Sequence, residues 1–185
     1  MKVSNKLESI KLIKELKLNS FPEKLFNKDE TVEIKKFLLK YPAKFYAVRS
    51  KEIVNCKKNN FKVPKDDVLN EIKKHNLFTI NVSSYNYINN FVLIGDIRIG
   101  SNNEVWFIGS TNSTFTGKMA EQNPDFNYST DIFDKRLNKV PSFDLIYGYI
   151  IDHNLIDVIV EFAIYDKPVG IYNEPIIIFE IRTEF

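Results

Sequence analysis

The C-terminal segment DVIVEFAIYDKPVGIYNEPIIIFEIRTEF (157–185) predicts two apolar β-strands joined by the turn DKPVGIYN (166–173). Pro168 and Gly170 favour a turn there, because their backbones suit a tight reversal of the chain. Side chains of a strand alternate between its two faces. The alternation of the second strand assigns Ile178, Glu180, Arg182 and Glu184 to one face, and Ile177, Phe179, Ile181 and Thr183 to the other.

Two glutamates interrupt these apolar runs. Glu161 is the only charged residue between Asp157 and Asp166, and antiparallel pairing sets it across from residues 178–180. Facing carboxylates repel, and the pKa of one of them rises unless a cation lies between them. Either the Arg182 side chain or a divalent metal such as Mg²⁺ meets that need. The alternative is a solvated face on which both glutamates pair with lysines.

The remaining sequence predicts an α+β fold with a mostly antiparallel sheet. Helices are expected at about residues 5–17, 29–40, 66–75 and 142–154, with Ser4 and Ser142 as N-caps. Strands are expected at 44–49 and 77–82, followed by a hairpin of 90–99 and 104–110 around GSNN (100–103). The polar stretch 110–130 is expected to be a loop. We expect two lobes, residues 1–78 and 79–185, in one compact protein.

Composition excludes several classes of protein. The chain has 185 residues, is 44% hydrophobic and carries a net charge of +2, so no broad basic field favours nucleic acid or a membrane surface. The single Cys56 excludes an internal disulfide and suits a reducing, cytoplasmic environment. His75 and His153 are too far apart in sequence to predict a metal pair. We expect no transmembrane helix, because no apolar run approaches about 18 residues.

Two further segments are candidates for phosphate contacts. The strand KFYAVRS (44–50) ends near Arg49, whose planar guanidinium suits phosphate; an exposed arginine at a strand end is the alternative. GSTNSTFTGK (109–118) is rich in hydroxyl groups but does not match the P-loop pattern. Seven residues separate its glycines, and Met119 stands where that pattern requires Ser or Thr. We therefore expect a polar loop, which could close over phosphates.

Three segments, taken in order, resemble the nucleotide-binding domain of phosphoenolpyruvate synthase and pyruvate phosphate dikinase, a branch of the ATP-grasp superfamily. NKLESIKLIKELKLNSFPEKLF (5–26) is similar to that family's opening, where a lysine, matched by Lys6, precedes an amphipathic helix and a proline turn. FYAVRS (45–50) is similar to the family's "vAVRSS" strand. By this resemblance, Arg49 matches the family's phosphate-contacting arginine.

The third similar segment is the C-terminal pair of strands, which resembles the family's "dIEwa … g.lyiLQaRPeT". Glu161 matches the acidic residue of the first strand, and Arg182 matches the arginine of the second. The sequence also departs from the family. Glu180 replaces the glutamine, and KEIVNCKKNN (51–60) stands where the family has acidic and glycine-rich segments. No histidine lies in a phosphohistidine motif, so phosphoenolpyruvate chemistry is not expected.

The resemblance implies a two-lobed ATP-grasp-like fold that sandwiches a nucleotide. It implies ATP and Mg²⁺ as cofactors, with Glu161 and Glu180 as metal ligands. Lys6, Arg49 and Arg182 would neutralise the triphosphate, and the two arginines would act in catalysis. These three cations and the two glutamates together would form the nucleotide-binding site. The family's chemistry positions the γ-phosphate electrostatically for attack by a carboxylate or similar acceptor.

Two functional hypotheses therefore stay open. The first is an ATP-binding, Mg²⁺-dependent ligase or phosphotransferase of unknown small-molecule acceptor. The second is a non-catalytic α+β interaction or assembly module that keeps the fold and has lost the chemistry. Such a module could form an oligomer. Convergence of Arg49, Glu161, Glu180 and Arg182 in one cleft favours the first, because side chains so costly to desolvate need a common purpose.

Overall fold

The computed structural model describes residues 3, 6–50, 59–87, 90–111 and 124–183. Its helices are α1 (Lys6–Glu15), α2 (Thr31–Lys40), α3 (Val68–Ile72) and α4 (Phe143–Asp152). Its strands are β1 (Glu23–Asn27), β2 (Phe45–Ser50), β3 (Asn59–Pro64), β4 (Leu77–Val82), β5 (Phe91–Ile99), β6 (Glu104–Ser110), β7 (Phe126–Asp131), β8 (Ile159–Val169) and β9 (Glu174–Arg182). The α+β class and the antiparallel strand pairing expected from the sequence are confirmed. None of the described helices is long and apolar enough to cross a membrane.

The chain forms two compact units, one of residues 1–20 with 89–185 and one of residues 21–88. The first residues join the larger unit because they cover the outer edge of β9. There the Ile181 N–H donates to Ser9 Oγ, and the Ile178 N–H donates to the carbonyl of Asn19, each at 2.8 Å. These hydrogen bonds cover part of an edge strand that would otherwise offer its backbone groups to another chain. The lobes expected at 1–78 and 79–185 stay a prediction about domains.

The smaller unit is a four-stranded sheet in the order β1-β4-β2-β3, with every neighbouring pair antiparallel. One face of this sheet packs on α2, where the Phe26 ring meets Phe37 edge-on at 5.7 Å and lies against Phe78 at 6.2 Å. The apolar spacing of α2 buries Ile34, Phe37 and Leu38 on one stripe. Each such side chain contributes about 1.5–3 kcal/mol by leaving water.

The larger unit is a five-stranded antiparallel sheet in the order β7-β6-β5-β8-β9. Alternate residues of its strands form one continuous core with α1 and α4, in which Phe107 meets Phe143 of α4 edge-on at 6.0 Å. Ile13 of α1 and Ile150 of α4 are buried in the same core. The opposite face of this sheet carries the remaining residues of each strand, and Asp96, Glu161 and Glu180 lie there.

Several expectations about local structure were wrong. Strand β7 overlaps the end of the stretch 110–130 that was expected to be a loop. Its residues alternate between half-buried and exposed, and they pair with β6. Strands β1 and β3 were missed, since their sequences are short and polar. Ser142 precedes α4 but makes no side-chain cap hydrogen bond, and its φ of 56° is left-handed. The expected cap Ser4 lies outside the described residues.

Candidate functional site

Three carboxylates form a row across neighbouring strands of the five-stranded sheet. Asp96 of β5 is the register partner of Glu161 of β8, and Glu161 is the register partner of Glu180 of β9. Register partners in a sheet point to the same face, with Cβ atoms about 4.5–5.5 Å apart. We call Asp96, Glu161 and Glu180 the carboxylate row.

A β-bulge at Phe179 brings Glu180 of β9 opposite Glu161 of β8. Ile178 pairs with Phe162 and Glu180 pairs with Glu161, so β9 has one residue more than β8 at this point. The expectation that Ile178 shares a face with Glu180 was therefore wrong, because a bulge shifts the alternation by one residue. Ile178 and Ile181 both lie in the core, while Glu180 belongs to the carboxylate row. At the bulge, Lys6 Nζ donates a hydrogen bond to the Phe179 carbonyl.

Two cations neutralise the carboxylate row. Arg182 Nη2 lies 3.2 Å from Asp96 Oδ2, and Arg182 Nη1 lies 3.8 Å from Glu161 Oε2. Lys6 Nζ lies 3.2 Å from Glu180 Oε2. The sequence left two arrangements open, an arginine between the acids or acids paired with lysines. The structure has both, since Arg182 bridges two of the acids and Lys6 pairs with the third. With three acids and two bases, one negative charge is left when all five groups are ionised.

Burial sets the electrostatics of the row. Burial raises the pKa of Asp96, and Arg182 opposes that rise while Glu180 adds to it. Burial also raises the pKa of Glu161, against the lowering effect of Lys6. Asp96 is 6% exposed, and its Oδ1 is buried without a hydrogen-bond partner. An unpaired buried carboxylate oxygen is costly, so this atom has unused capacity to accept a hydrogen bond or a cation.

The pair Glu161 and Glu180 suits a magnesium ion. Protein sites for Mg²⁺ commonly use one or two carboxylates and leave the other positions to water and substrate phosphates. The two side chains are 30% and 27% exposed, so solvent and a ligand can reach them. Within the described part of the chain, no group of three or more Asp, Glu, His or Cys side chains is arranged to hold a metal ion by itself.

Arg49, the remaining predicted site residue, belongs to the smaller unit. It lies on β2 opposite Thr79 of β4, and its guanidinium carbon is 5.2 Å from the centre of the Phe61 ring. Its Nε is buried and has no hydrogen-bond partner. The larger unit thus brings together four of the five predicted site residues: Lys6, Glu161, Glu180 and Arg182. Arg49 belongs to the smaller unit, where it contacts Phe61.

Asp96 is the member of the cluster that the sequence analysis missed. It is the only acidic residue in the strand FVLIGDIRI (91–99), just as Glu161 is in β8 before Asp166. The same signal, a lone acid inside an apolar strand, could therefore have identified it. Its partner across the sheet depends on long-range register, which no local pattern gives.

The two histidines weighed in the sequence lie in the described part of the chain, in different units. His153 Nδ1 lies 2.9 Å from the Tyr149 carbonyl in the turn after α4. The buried His75 follows α3 in the other unit. Cys56, residues 112–118 of the hydroxyl-rich segment and Glu184 lie outside the described residues.

Solved structures with a similar fold share little sequence with this chain. N5-carboxyaminoimidazole synthase from Aspergillus clavatus, in complex with ADP and 5-aminoimidazole ribonucleotide, has a TM-score of 0.56 and 11% identity, over 100% of this chain and 45% of that one. The macrocyclase MdnC from Microcystis aeruginosa, bound with precursor peptide MdnA, has a TM-score of 0.51 and 15% identity, over 95% and 52%. D-Alanine-D-alanine ligase from Helicobacter pylori has a TM-score of 0.51 and 13% identity, over 97% and 53%.

The fold is ATP-grasp-like. At these identities the ATP-grasp likeness concerns the fold alone, and the chain spans about half the length of the neighbouring structures. No protein-family model and no curated protein sequence matches the chain. These neighbours are ATP-grasp ligases, so the narrower resemblance to phosphoenolpyruvate synthase stays a prediction.

Proposed function

We propose that this ATP-grasp-like chain binds a magnesium–nucleotide complex, ATP above all, and serves an ATP-dependent ligase or phosphotransferase reaction on an unknown acceptor. The observation that carries the proposal is the carboxylate row with its two cations on one face of the five-stranded sheet. Titratable groups with pKa values raised by burial cluster at functional sites more often than elsewhere. The ADP bound in two of the fold neighbours supports the same ligand class.

In the proposed site, Glu161 and Glu180 hold Mg²⁺. When bound, this ion neutralises charge on the phosphate oxygens. Lys6 and Arg182 contribute two positive charges beside the two glutamates, and they are already fixed by their ion pairs. Cations that are held in place before the ligand arrives stabilise phosphate charge without reorganisation during the reaction. Arg182 accordingly acts on the phosphates as a catalytic group.

Arg49 is proposed as a phosphate contact on the face of its own unit. Its guanidinium is permanently charged and has a planar fork of donors that matches phosphate oxygens. A donor that is buried without a partner, as Arg49 Nε is, favours a ligand that accepts a hydrogen bond. An arginine at a strand end with a satisfied side chain would not favour such a ligand.

Isothermal titration with Mg²⁺ATP tests the proposal, because binding can be measured without knowing the acceptor. We expect saturable binding to the unchanged chain and at least about tenfold weaker binding to Arg182→Ala, since a charge-assisted contact to phosphate is lost. The matched control is Arg98→Ala. Arg98 lies on β5 of the same sheet and pairs with the exposed Asp157. Its removal should change the dissociation constant by less than about twofold.

A double variant tests the assignment of Glu161 and Glu180 as Mg²⁺ ligands. Glu161→Gln with Glu180→Gln should remove the dependence of ATP affinity on Mg²⁺ while the chain still unfolds cooperatively. In a parallel thermal shift, ATP at 100 times its dissociation constant should stabilise the chain by about 2.7 kcal/mol. Absence of binding by any nucleotide, with and without metal, would contradict the proposal. A stable oligomer without nucleotide binding would instead support the interaction module.

A further inference from the structure

Two helices, α2 and α4, each carry exposed apolar side chains on the side that faces away from their own sheet. Val32 and Leu39 of α2 are 64% and 72% exposed, and Leu145 and Ile151 of α4 are each 44% exposed. Exposed apolar residues that recur at helical spacing and are bordered by charges mark surfaces for protein contacts. We call the first surface the α2 outer face (Val32, Lys35, Lys36 and Leu39) and the second the α4 outer face (Asp144, Leu145, Gly148, Ile151 and Asp152).

The α2 outer face is apolar along its middle and positively charged on both sides. Val32 and Leu39 are separated by about two helical turns, so they lie on one line along the helix. At about 100° per residue, Lys35 and Lys36 fall on opposite sides of that line. Lys36 pairs with Glu33, but exposed pairs of this kind contribute little and can be exchanged. The α2 outer face therefore offers apolar side chains between two cations.

The α4 outer face has the opposite charge and open space at its centre. Gly148 lies between Leu145 and Ile151 on the helix surface, and a Cβ atom added to this glycine would lie in open space. The two apolar side chains thus border a depression over the glycine. Asp144 and Asp152 are exposed and lie one helical turn before and after Gly148. A partner of this face needs an apolar side chain for the depression and cations for the aspartates.

The stability of α4 alone does not account for two residues of its outer face. Glycine is less favourable than alanine in the interior of a helix. Asp152 is the last residue of α4, where a carboxylate meets the negative end of the helix dipole. Among the ion pairs of the described residues, none includes Asp144 or Asp152. A cationic partner that packs closely over Gly148 gives these residues a purpose.

We propose that the α4 outer face of one copy of this chain binds the α2 outer face of a second copy. Leu39 or Val32 fills the depression over Gly148, as a side chain of one helix inserts between those of another. The two lysines of the α2 outer face pair with the two aspartates of the α4 outer face. The contact then has an apolar centre and a charged rim, which is the usual arrangement of a protein interface.

Charge complementarity is the argument for a second copy as the partner. The α4 outer face requires an apolar helix surface with cations at its sides, and the chain itself presents such a surface on α2. Since the contact joins two different surfaces, two copies can make it twice, or further copies can add head to tail. The proposed assembly does not depend on nucleotide binding.

Sedimentation of the full chain over a range of concentrations tests the proposal by measuring self-association. We expect the unchanged chain to associate, and Asp144→Lys with Asp152→Lys to weaken association at least about tenfold, because like charges then face each other. Lys35→Glu with Lys36→Glu should weaken it by a similar factor. A mixture of these two double variants should associate again, because the reversed faces attract one another.

The matched control changes the net charge equally at other exposed acids. Glu104 and Asp166 are exposed on β6 and β8, away from both helices in sequence. Glu104→Lys with Asp166→Lys should leave the dissociation constant of the assembly within about twofold.

Gly148→Gln distinguishes association from folding stability. Glutamine is a better helix former than glycine, and its side chain extends into open space, so the midpoint temperature of unfolding should rise. Association should nevertheless weaken at least about tenfold, because the depression that receives Leu39 or Val32 is filled.

Several results would overturn the proposal. A monomer at every concentration would do so, as would charge-reversal variants that associate like the unchanged chain. Failure of the mixed variants to associate would exclude the pairing of these two faces. If a charge-reversal variant does not unfold cooperatively, Gly148→Gln decides the outcome, since unchanged association in that variant would exclude the α4 outer face.

Discussion

Each unit has a sheet face with buried polar groups, and the two faces differ in whether these groups have partners within the protein. In the larger unit, every acid of the carboxylate row lies within 4 Å of a cation on Lys6 or Arg182. In the smaller unit, four residues on one side of the sheet each have a buried side-chain atom without a partner: Glu23, Arg49, Thr79 and Asn81, which we call the polar face. The first face is mostly paired from within, with Asp96 Oδ1 left without a hydrogen-bond partner, whereas the second face has four unpartnered atoms.

This difference predicts opposite responses to mutation. Removing one partner of a buried ion pair leaves an uncompensated charge and is strongly destabilising. Removing a polar group that has no partner takes away a desolvation penalty, so it is neutral or stabilising. A ligand at the carboxylate row joins charges that are already paired with one another, whereas a new partner at the polar face meets polar atoms that have no partner.

The largest expected effect is the loss of Arg182. We expect Arg182→Met to lower the free energy of unfolding by about 2–4 kcal/mol, because Asp96 is left buried and charged. Urea unfolding at pH 7 measures it. Arg98→Met is the matched control, since Arg98 Nη2 also lies 3.2 Å from a carboxylate, that of Asp157. That pair is exposed, so its loss should cost less than about 1 kcal/mol.

A second substitution distinguishes the lost charge of Arg182 from its lost packing. Asp96→Asn in the Arg182→Met background removes the stranded charge and should restore about half or more of the lost stability. Two results would contradict this account: equal losses of unfolding free energy in Arg182→Met and Arg98→Met, or a double variant no more stable than Arg182→Met. Either would mean that Arg182 does not compensate a buried charge on Asp96.

An effect of opposite sign is expected on the polar face. Thr79→Val replaces a buried, unpartnered hydroxyl with a methyl group of similar size in a strand, where valine is favoured. We expect the free energy of unfolding to rise by about 0.5–1.5 kcal/mol. Thermal and urea unfolding measure this change.

Thr130→Val provides the control for that substitution. The Thr130 hydroxyl donates to Asp134 Oδ2 at 2.5 Å, so its removal should destabilise the chain by about 1 kcal/mol. Two threonine-to-valine changes in strands should thus move stability in opposite directions. Equal destabilisation by both would mean that Thr79 has a partner after all.

Much of the carboxylate row could be predicted from the sequence, because its signal is local. Glu161 and Glu180 stand alone in apolar strands joined by a short turn, and the turn fixes their register to within about a residue. Asp96 was missed although its strand carries the same signal, because only long-range pairing of β5 with β8 sets it beside Glu161. The bulge at Phe179 has no distinct sequence pattern, so the facing of Ile178 was predicted wrongly.

The polar face could not be predicted for the same physical reason. Glu23 lies in a short polar segment that gives no strand pattern, and Asn81 and Thr79 lie in a strand with mostly apolar neighbours. Only the pairing of β1 with β4 and of β4 with β2 makes neighbours of them. The resemblance that pointed to Arg49 supplied one of the four residues without indicating the others.

The smallest expected effect is a difference in how stability depends on pH. Burial raises the pKa of Asp96 above the ordinary 3.8, so the folded chain binds this proton more tightly than the unfolded chain does. The corresponding stability is present below pH 3.8 and is lost as the pH rises through the raised pKa. Asp134 behaves oppositely, because its hydrogen bonds from Arg136 and Thr130 lower its pKa, and its contribution is lost as the pH falls.

Urea unfolding from about pH 3 to pH 7 distinguishes the two signs. Asp96→Asn should flatten the fall in stability above pH 3.8, and Glu161→Gln should flatten it further because burial raises the pKa of Glu161 as well. Asp134→Asn should instead reduce the loss of stability on the acid side. An unchanged slope in Asp96→Asn would mean that Arg182 compensates the buried charge fully, and the carboxylate row would then resemble an ordinary exposed network.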